Sequence, residues 1–167
     1  STLLLLLIGF LFTNNWTLAL TPEKWVEYFN NPSGTILNLS EPTLWPRYLH
    51  MVLGAVAVGG LSLAAFGTRK SVEDPDKGAL VSQGMSWFKW TTIGQVLIGS
   101  WWLMALRPDV MKMFMGGNMI ATAAFGTGFV LALVALFLAF KGLVWPTVWT
   151  TLLTLIVMAV MREYVRH

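Results

Sequence analysis

The stretch Leu44-Trp-Pro-Arg-Tyr-Leu-His50-Met-Val-Leu-Gly54-Ala-Val-Ala57-Val-Gly-Gly60-Leu-Ser-Leu-Ala64-Ala-Phe66 decides the fold. From Tyr48 to Phe66 it holds no Asp, Glu, Lys or Arg. At about 1.5 Å per residue this uncharged run reaches roughly 30 Å, the thickness of a bilayer's hydrocarbon core. Pro46 suits a first helical turn, and Trp45, Arg47 and Tyr48 have the character of an interfacial belt. The stretch reads as a transmembrane helix.

The rest of the chain repeats this pattern. Of its 167 residues 56% are hydrophobic and only 11% are charged, and its mean hydropathy of +0.65 is high for a water-soluble protein. We expect an all-α integral membrane bundle forming one transmembrane domain over residues 1–167. Five spans are expected, at about 2–20, 44–66, 84–106, 119–140 and 144–161. Between the first two, Pro22 and Glu23 suit the start of a short amphipathic helix reaching Asn30, with Trp25, Val26 and Phe29 on one side, lying on the membrane surface. Residues 31–42, 67–77 and 107–118 read as connections. The run from Thr2 has no basic region before it and no small-x-small cleavage pattern after it, so we read it as part of a helix and not as a signal peptide.

Charge and composition exclude several function classes. The formal charge is +3, but the basic residues stand mostly singly at span ends, which suits interface anchoring and not nucleic-acid binding. Their distribution over the two faces sets no orientation. With no cysteine, disulfides, thiolate metal sites and covalent haem attachment are all excluded. The spans contain no paired carboxylates, phosphate-binding glycine loop or arginine ladder. No internal repeat suggests a transporter built of inverted halves.

His50 is the residue that most needs explaining, because an imidazole at membrane depth must be hydrogen-bonded or bound to something. Its helical face carries Gly54, Ala57, Gly60, Leu61 and Ala64, a strip of mostly small side chains. Such a strip admits a neighbouring helix. It equally admits a porphyrin plane, with His50 as axial ligand of haem iron and Gly54 and Ala57 lining the pocket. Arg47, Tyr48 and Trp16 read either as interface anchors or as flanks of a quinone headgroup or of haem propionates. Met51, Met104, Met111, Met113, Met115 and Met119 lie toward the expected His50 side, where a thioether can complete a His/Met haem site or simply fill core. His167 reads as a terminal interfacial residue, and Lys89 as a structural residue near a span end. Gln95 with Thr91 or Thr92 reads as bonding across helices. A channel would have to draw its polar path from Asn14, Asn15, Thr91, Thr92 and Gln95.

The run Phe12-Thr-Asn-Asn-Trp-Thr-Leu-Ala-Leu-Thr-Pro-Glu-Lys-Trp25 is followed by Asn-Pro-Ser-Gly-Thr, then Glu-Pro-Thr-Leu-Trp-Pro-Arg-Tyr-Leu-His50 and Ala-Val-Gly-Gly60. Together with the ending Met161-Arg-Glu-Tyr-Val-Arg-His167, it resembles the C-terminal portion of subunit-I-like proteins related to cytochrome bd quinol oxidases. The resemblance implies a haem-binding electron-transfer subunit of the bacterial cytoplasmic (inner) membrane, with His50 mapped as the ligand of b-type haem. Quinone or quinol becomes a possible substrate. Implied partners are other membrane subunits, including an N-terminal haem-binding portion, and c-type cytochromes. The family's Gly-Arg-Gln-Pro-Trp quinol-loop signature is absent, so oxygen reduction is not carried over. A cofactor-free structural subunit of such a complex is the competing expectation.

Overall fold

The computed structural model describes residues 1–31, 33, 36–70 and 74–165, the last three by backbone alone. Every regular element among them is helical. Helix α1 spans Thr2–Ala19. After a 3-10 turn at Pro22–Trp25 comes the short α2, Val26–Asn30. Then follow α3 (Leu44–Arg69), α4 (Lys77–Ala105), α5 (Pro108–Lys112), α6 (Met119–Phe140) and α7 (Val144–Val165).

Four of these helices, α1, α3, α6 and α7, are long and apolar enough to cross a membrane. The protein is therefore read as a membrane protein. The expected third span lies within α4, which is longer than anticipated at 29 residues. That is about 43 Å of helix, yet α4 falls outside the apolar set because Lys89, Gln95 and several Ser and Thr residues dilute it. It starts seven residues before the expected span, at Lys77, the last residue of the expected connection.

The ends of the elements follow from local chemistry. The expected loop at 107–118 in fact contains α5 and a wide π turn, Met113–Gly117. Pro108 and Asp109 suit a first helical turn, and Val110 and Phe114, four apart, are both buried. Gly116 takes φ 110°, a left-handed conformation that a side chain would resist. Asn118 then caps α6, its Oδ1 accepting from the Ile120 and Ala121 amides at 3.0 Å each. At the other end of α6 the Gly142 amide bonds to the Ala139 carbonyl and the Leu143 amide to the Leu138 carbonyl, with Gly142 at φ 72°. This Schellman closure turns the chain directly into α7.

Packing concentrates along α3 and α4. At their closest approach Gly60 meets Gly84: a Cβ on Gly60 would lie 2.8 Å from the Gly84 carbonyl oxygen and 2.8 Å from Trp87 Cβ. A Cβ on Gly84 would run into the Gly60 carbonyl and lie 2.6 Å from the Ala64 amide. Further along, Gly67 sits against Leu80 and Val81. The core beside this seam is Ala57, Leu61, Ala64, Met85 and Phe88, joined by Ala135 and Ala139 of α6 and Val144 of α7. A second cluster, Leu106, Val110, Phe114 and Ala121, closes the other end with Trp102, Phe125 and Met161 against it.

Helix α1 leans on α3 through its middle. Phe10 packs on Trp45 and edge-on to Tyr48, whose hydroxyl donates to the Leu6 carbonyl at 3.1 Å. Below this contact lies a polar knot. Asn14 Nδ2 donates to the Ile36 carbonyl at 3.0 Å, and Asn14 Oδ1 accepts from the Asn38 amide at 2.7 Å. Asn38 Nδ2 in turn reaches the hydroxyls of Thr17 and Thr21. Asn14 is thus engaged in holding the 36–38 segment to α1.

Candidate functional site

At the end of the bundle that holds the start of α3, the helices diverge around a cavity of about 330 Å³. Its wall takes His50 and Arg47 from α3, and Thr92, Gln95 and Gly99 from α4. Trp16 of α1, Phe125 of α6 and Met158, Met161 and Arg162 of α7 complete it. Its size is at the lower end of ordinary ligand pockets. Apolar and aromatic groups make up most of the wall.

The few polar atoms in that wall are unusual for what they lack. Of the enclosed side-chain nitrogen and oxygen atoms without a hydrogen-bond partner among the described residues, three belong to this one cavity: Arg47 Nε, His50 Nδ1 and Thr92 Oγ1. Enclosed polar atoms are nearly always paired, because an unmade bond costs about 1–3 kcal/mol. All three residues line this cavity, while the three atoms themselves are enclosed within its wall.

His50 is held from α4. Gln95 Nε2 donates to the His50 main-chain carbonyl at 3.3 Å, while the Gln95 main-chain carbonyl is near enough to the imidazole to interact with it, though outside hydrogen-bonding geometry. The ring edge lies over Gly99, where a Cβ would come 3.8 Å from Cε1 and 3.9 Å from Nδ1. With Nδ1 turned to α4, Nε2 is the nitrogen not enclosed there. A histidine that ligates a metal through one nitrogen usually turns the other toward a carbonyl. The orientation of His50 is compatible with that use.

The other residues singled out from sequence are distributed differently. Arg47 lines the cavity beside His50, its guanidinium 5.7 Å from the Trp102 ring centre. Tyr48 turns away to α1 and takes no part in the cavity. Gly54 and Ala57 do not line it either: Gly54 is covered by the Gln95 amide, and Ala57 is in the α3–α4 core. The small-residue strip that suits a porphyrin plane is filled by α4, so its role is helix contact, and the pocket-lining assignment of Gly54 and Ala57 is corrected accordingly. None of Met51, Met104, Met111, Met113, Met115 and Met119 reaches the cavity. Gln95 bonds across helices as expected and also forms part of the wall. Thr92 lines the cavity, whereas Thr91 bonds back to carbonyls of its own helix. Lys89 lies over the Phe140 ring, 5.4 Å from its centre. His167 lies outside the described residues.

Sequence reasoning missed Met158, Met161, Arg162 and Gly99. Helix parity offered a signal for the first three, since five spans put the end of the last on the same side as the start of the second. Gly99 gave none, because its value depends on the register of α4 against α3. Among the described residues no group of three or more His, Asp or Glu side chains is arranged to hold a metal ion. In comparisons with known proteins, no family model, curated relative or solved structure matches the chain.

Proposed function

We propose that the chain is a membrane electron-transfer subunit of a bacterial respiratory complex, in which His50 is an axial ligand of b-type haem in the cavity between α1, α3, α4, α6 and α7. In this reading α4 is the fifth span, the Pro22–Asn30 segment rests on the membrane surface, and electrons pass between the quinone pool and a redox partner such as a c-type cytochrome. The observation that carries it is an imidazole in the wall of an apolar cavity, its Nδ1 enclosed and without a hydrogen bond among the described residues.

The residues at the cavity fit the group on several counts. His50 lines the space, Met158 and Met161 are in the same wall, and Trp102, Phe125 and Phe129 give it an aromatic lining. Haem iron, when bound, supplies one-electron exchange. The chain's own part is to hold the imidazole on α3 against α4 and to exclude water with aromatic walls.

Purified protein is expected to show a b-type band in a reduced-minus-oxidised spectrum and a pyridine haemochrome. His50→Ala is expected to abolish or shift that band, and a wild-type spectrum and haem content in the variant would end the ligand assignment. The competing reading, a cofactor-free structural subunit, draws on the α3–α4 seam, where the small residues are used up in helix contact. It requires that the purified chain carry no haem and that His50→Ala alter assembly alone.

A further inference from the structure

Two arginines from opposite ends of the sequence converge on the same cavity. Arg47 stands in the first turn of α3 and Arg162 near the end of α7, and both contribute to the wall. Each is laid on a tryptophan: Arg47 Cζ is 5.7 Å from the Trp102 ring centre, and Arg162 Cζ is 4.1 Å from that of Trp16. The two charges are within electrostatic range of each other. Neither guanidinium forms an ion pair with an acidic side chain among the described residues. Glu41 is within electrostatic range of Arg47, but its Oε1 is engaged by the Thr43 amide and hydroxyl. Arg47 Nε is enclosed and unbonded.

We propose that this end of the cavity is an anion clamp, in which Arg47 and Arg162 take the acidic headgroup of an amphiphile whose apolar body fills the space behind. Guanidinium stays charged in any protein environment, so two of them at one apolar cavity, neither ion-paired among the described residues, favour an anionic ligand there. Contact with an indole face orients each guanidinium, and its terminal Nη groups can give the paired bonds that carboxylate and phosphate oxygens accept. The walls beyond, including Phe125, Phe129, Ala132 and Met158, are apolar, which calls for a ligand with an apolar body and not a free inorganic anion. Carboxylates of a porphyrin and the phosphate of an anionic phospholipid share this chemistry. The inference rests on the cavity and not on the haem reading.

The test is to extract wild-type protein and the R47Q/R162Q variant in non-ionic detergent, identify retained small molecules by native mass spectrometry, and measure haem in parallel. Wild type is expected to carry an acidic amphiphile, and the variant to lose it by at least about tenfold, the worth of one strong charged contact. R47K/R162K, which keeps charge without the fork, is expected to fall between them. If the ligand is haem, its mass and the haemochrome disappear together, and added haemin binds wild type while its dimethyl ester does not. If it is an anionic phospholipid and no haem is found, the clamp stands and the haem assignment falls. Wild type without any acidic amphiphile, or equal retention in wild type and R47Q/R162Q, overturns the clamp. Circular dichroism and gel filtration check folding. Should the double variant not fold, R162Q and the haemin-ester comparison on wild type decide the matter in the same way.

Discussion

The two halves of α3 differ in their residues and in their use, the first carrying Arg47, Tyr48 and His50 and the second mostly Gly, Ala and Leu. From Ala57 to Gly67 its small side chains are pressed against α4 so closely that Gly60 and Gly84 leave no room for a methyl group. From Arg47 to Leu53 the same pair of helices borders a cavity with three unpaired polar atoms in its wall. A strip of small residues therefore marks where helices touch most closely, and the cavity lies where α3 and α4 meet groups of α1, α6 and α7. The contrast also shows what each half resists. The seam is intolerant of added volume, and the cavity is intolerant of lost polar anchors.

The largest expected effect breaks the seam. Gly60→Ala places a methyl 2.8 Å from the Gly84 carbonyl oxygen, and backbone cannot swing aside as a flexible side chain can. Overpacking of this kind costs about 1–3 kcal/mol, and Gly84→Val should be at least as damaging. The adjacent Gly59 has nothing within 4 Å of its Cβ position, so Gly59→Ala should be close to neutral. Denaturant titration of the three variants in mixed micelles checks this. Equal losses at Gly59 and Gly60 would show that α3 and α4 do not meet in this register.

Next is the polar knot that fixes α1 beside the cavity. Asn14 is 1% exposed and Asn38 3%. Asn14→Leu keeps the bulk of the side chain but leaves the Ile36 carbonyl and the Asn38 amide unpaired, at about 1–3 kcal/mol. Its thermal melting midpoint should fall clearly, and Asn14→Asp, which keeps the acceptor for Asn38, should fall less. If Asn14→Leu melts like wild type, the 36–38 segment is not held by α1.

These regions were unequally legible in the sequence. The spans of α1, α3, α6 and α7 follow from unbroken apolar runs, since a membrane helix must satisfy its backbone internally whatever its neighbours do. The residues that build the site follow from neighbours. His50 and Arg47 stood out because polar groups inside an apolar run are costly. Gly54 and Ala57 were misassigned because periodicity gives the face of a helix and not what covers it. Tyr48 could have served α1 or the cavity equally well on α3 alone. The methionines were picked by nearness to a span end, whereas Met158 and Met161 enter through the direction in which α7 runs back toward α3.

A smaller effect tests the cavity half. Gln95→Leu removes the amide bond to the His50 carbonyl, a neutral hydrogen bond worth about 1 kcal/mol. The more telling readout is the reactivity of His50 toward diethyl pyrocarbonate, followed by peptide mass. Loosening α4 from the α3 backbone at His50 should leave the imidazole more accessible and modified faster than in wild type, and Gln95→Glu should not restore the wild-type rate, because a carboxylate offers no donor to a carbonyl. An unchanged rate in Gln95→Leu would mean that α3 alone orients the ring.

The smallest effect comes from Gly99, and it is the one that joins the two halves of the comparison. Here α4 again presents a glycine to α3, as it does at Gly84, but a Cβ would rest at 3.8–3.9 Å from the imidazole and not collide with backbone. That is ordinary van der Waals contact, so Gly99→Ala should change stability by only a few tenths of a kcal/mol, and the higher helix propensity of alanine pushes the other way. Gly99→Leu adds a side chain that must go either against the ring or into the cavity, and in both cases it competes with whatever the cavity holds. The expected outcome is a fold that survives Gly99→Leu while ligand retention and His50 modification both drop. A Gly99→Ala variant as unstable as Gly60→Ala would mean that the helices are as tightly closed at His50 as at Gly60, which would leave no cavity for either arginine to guard.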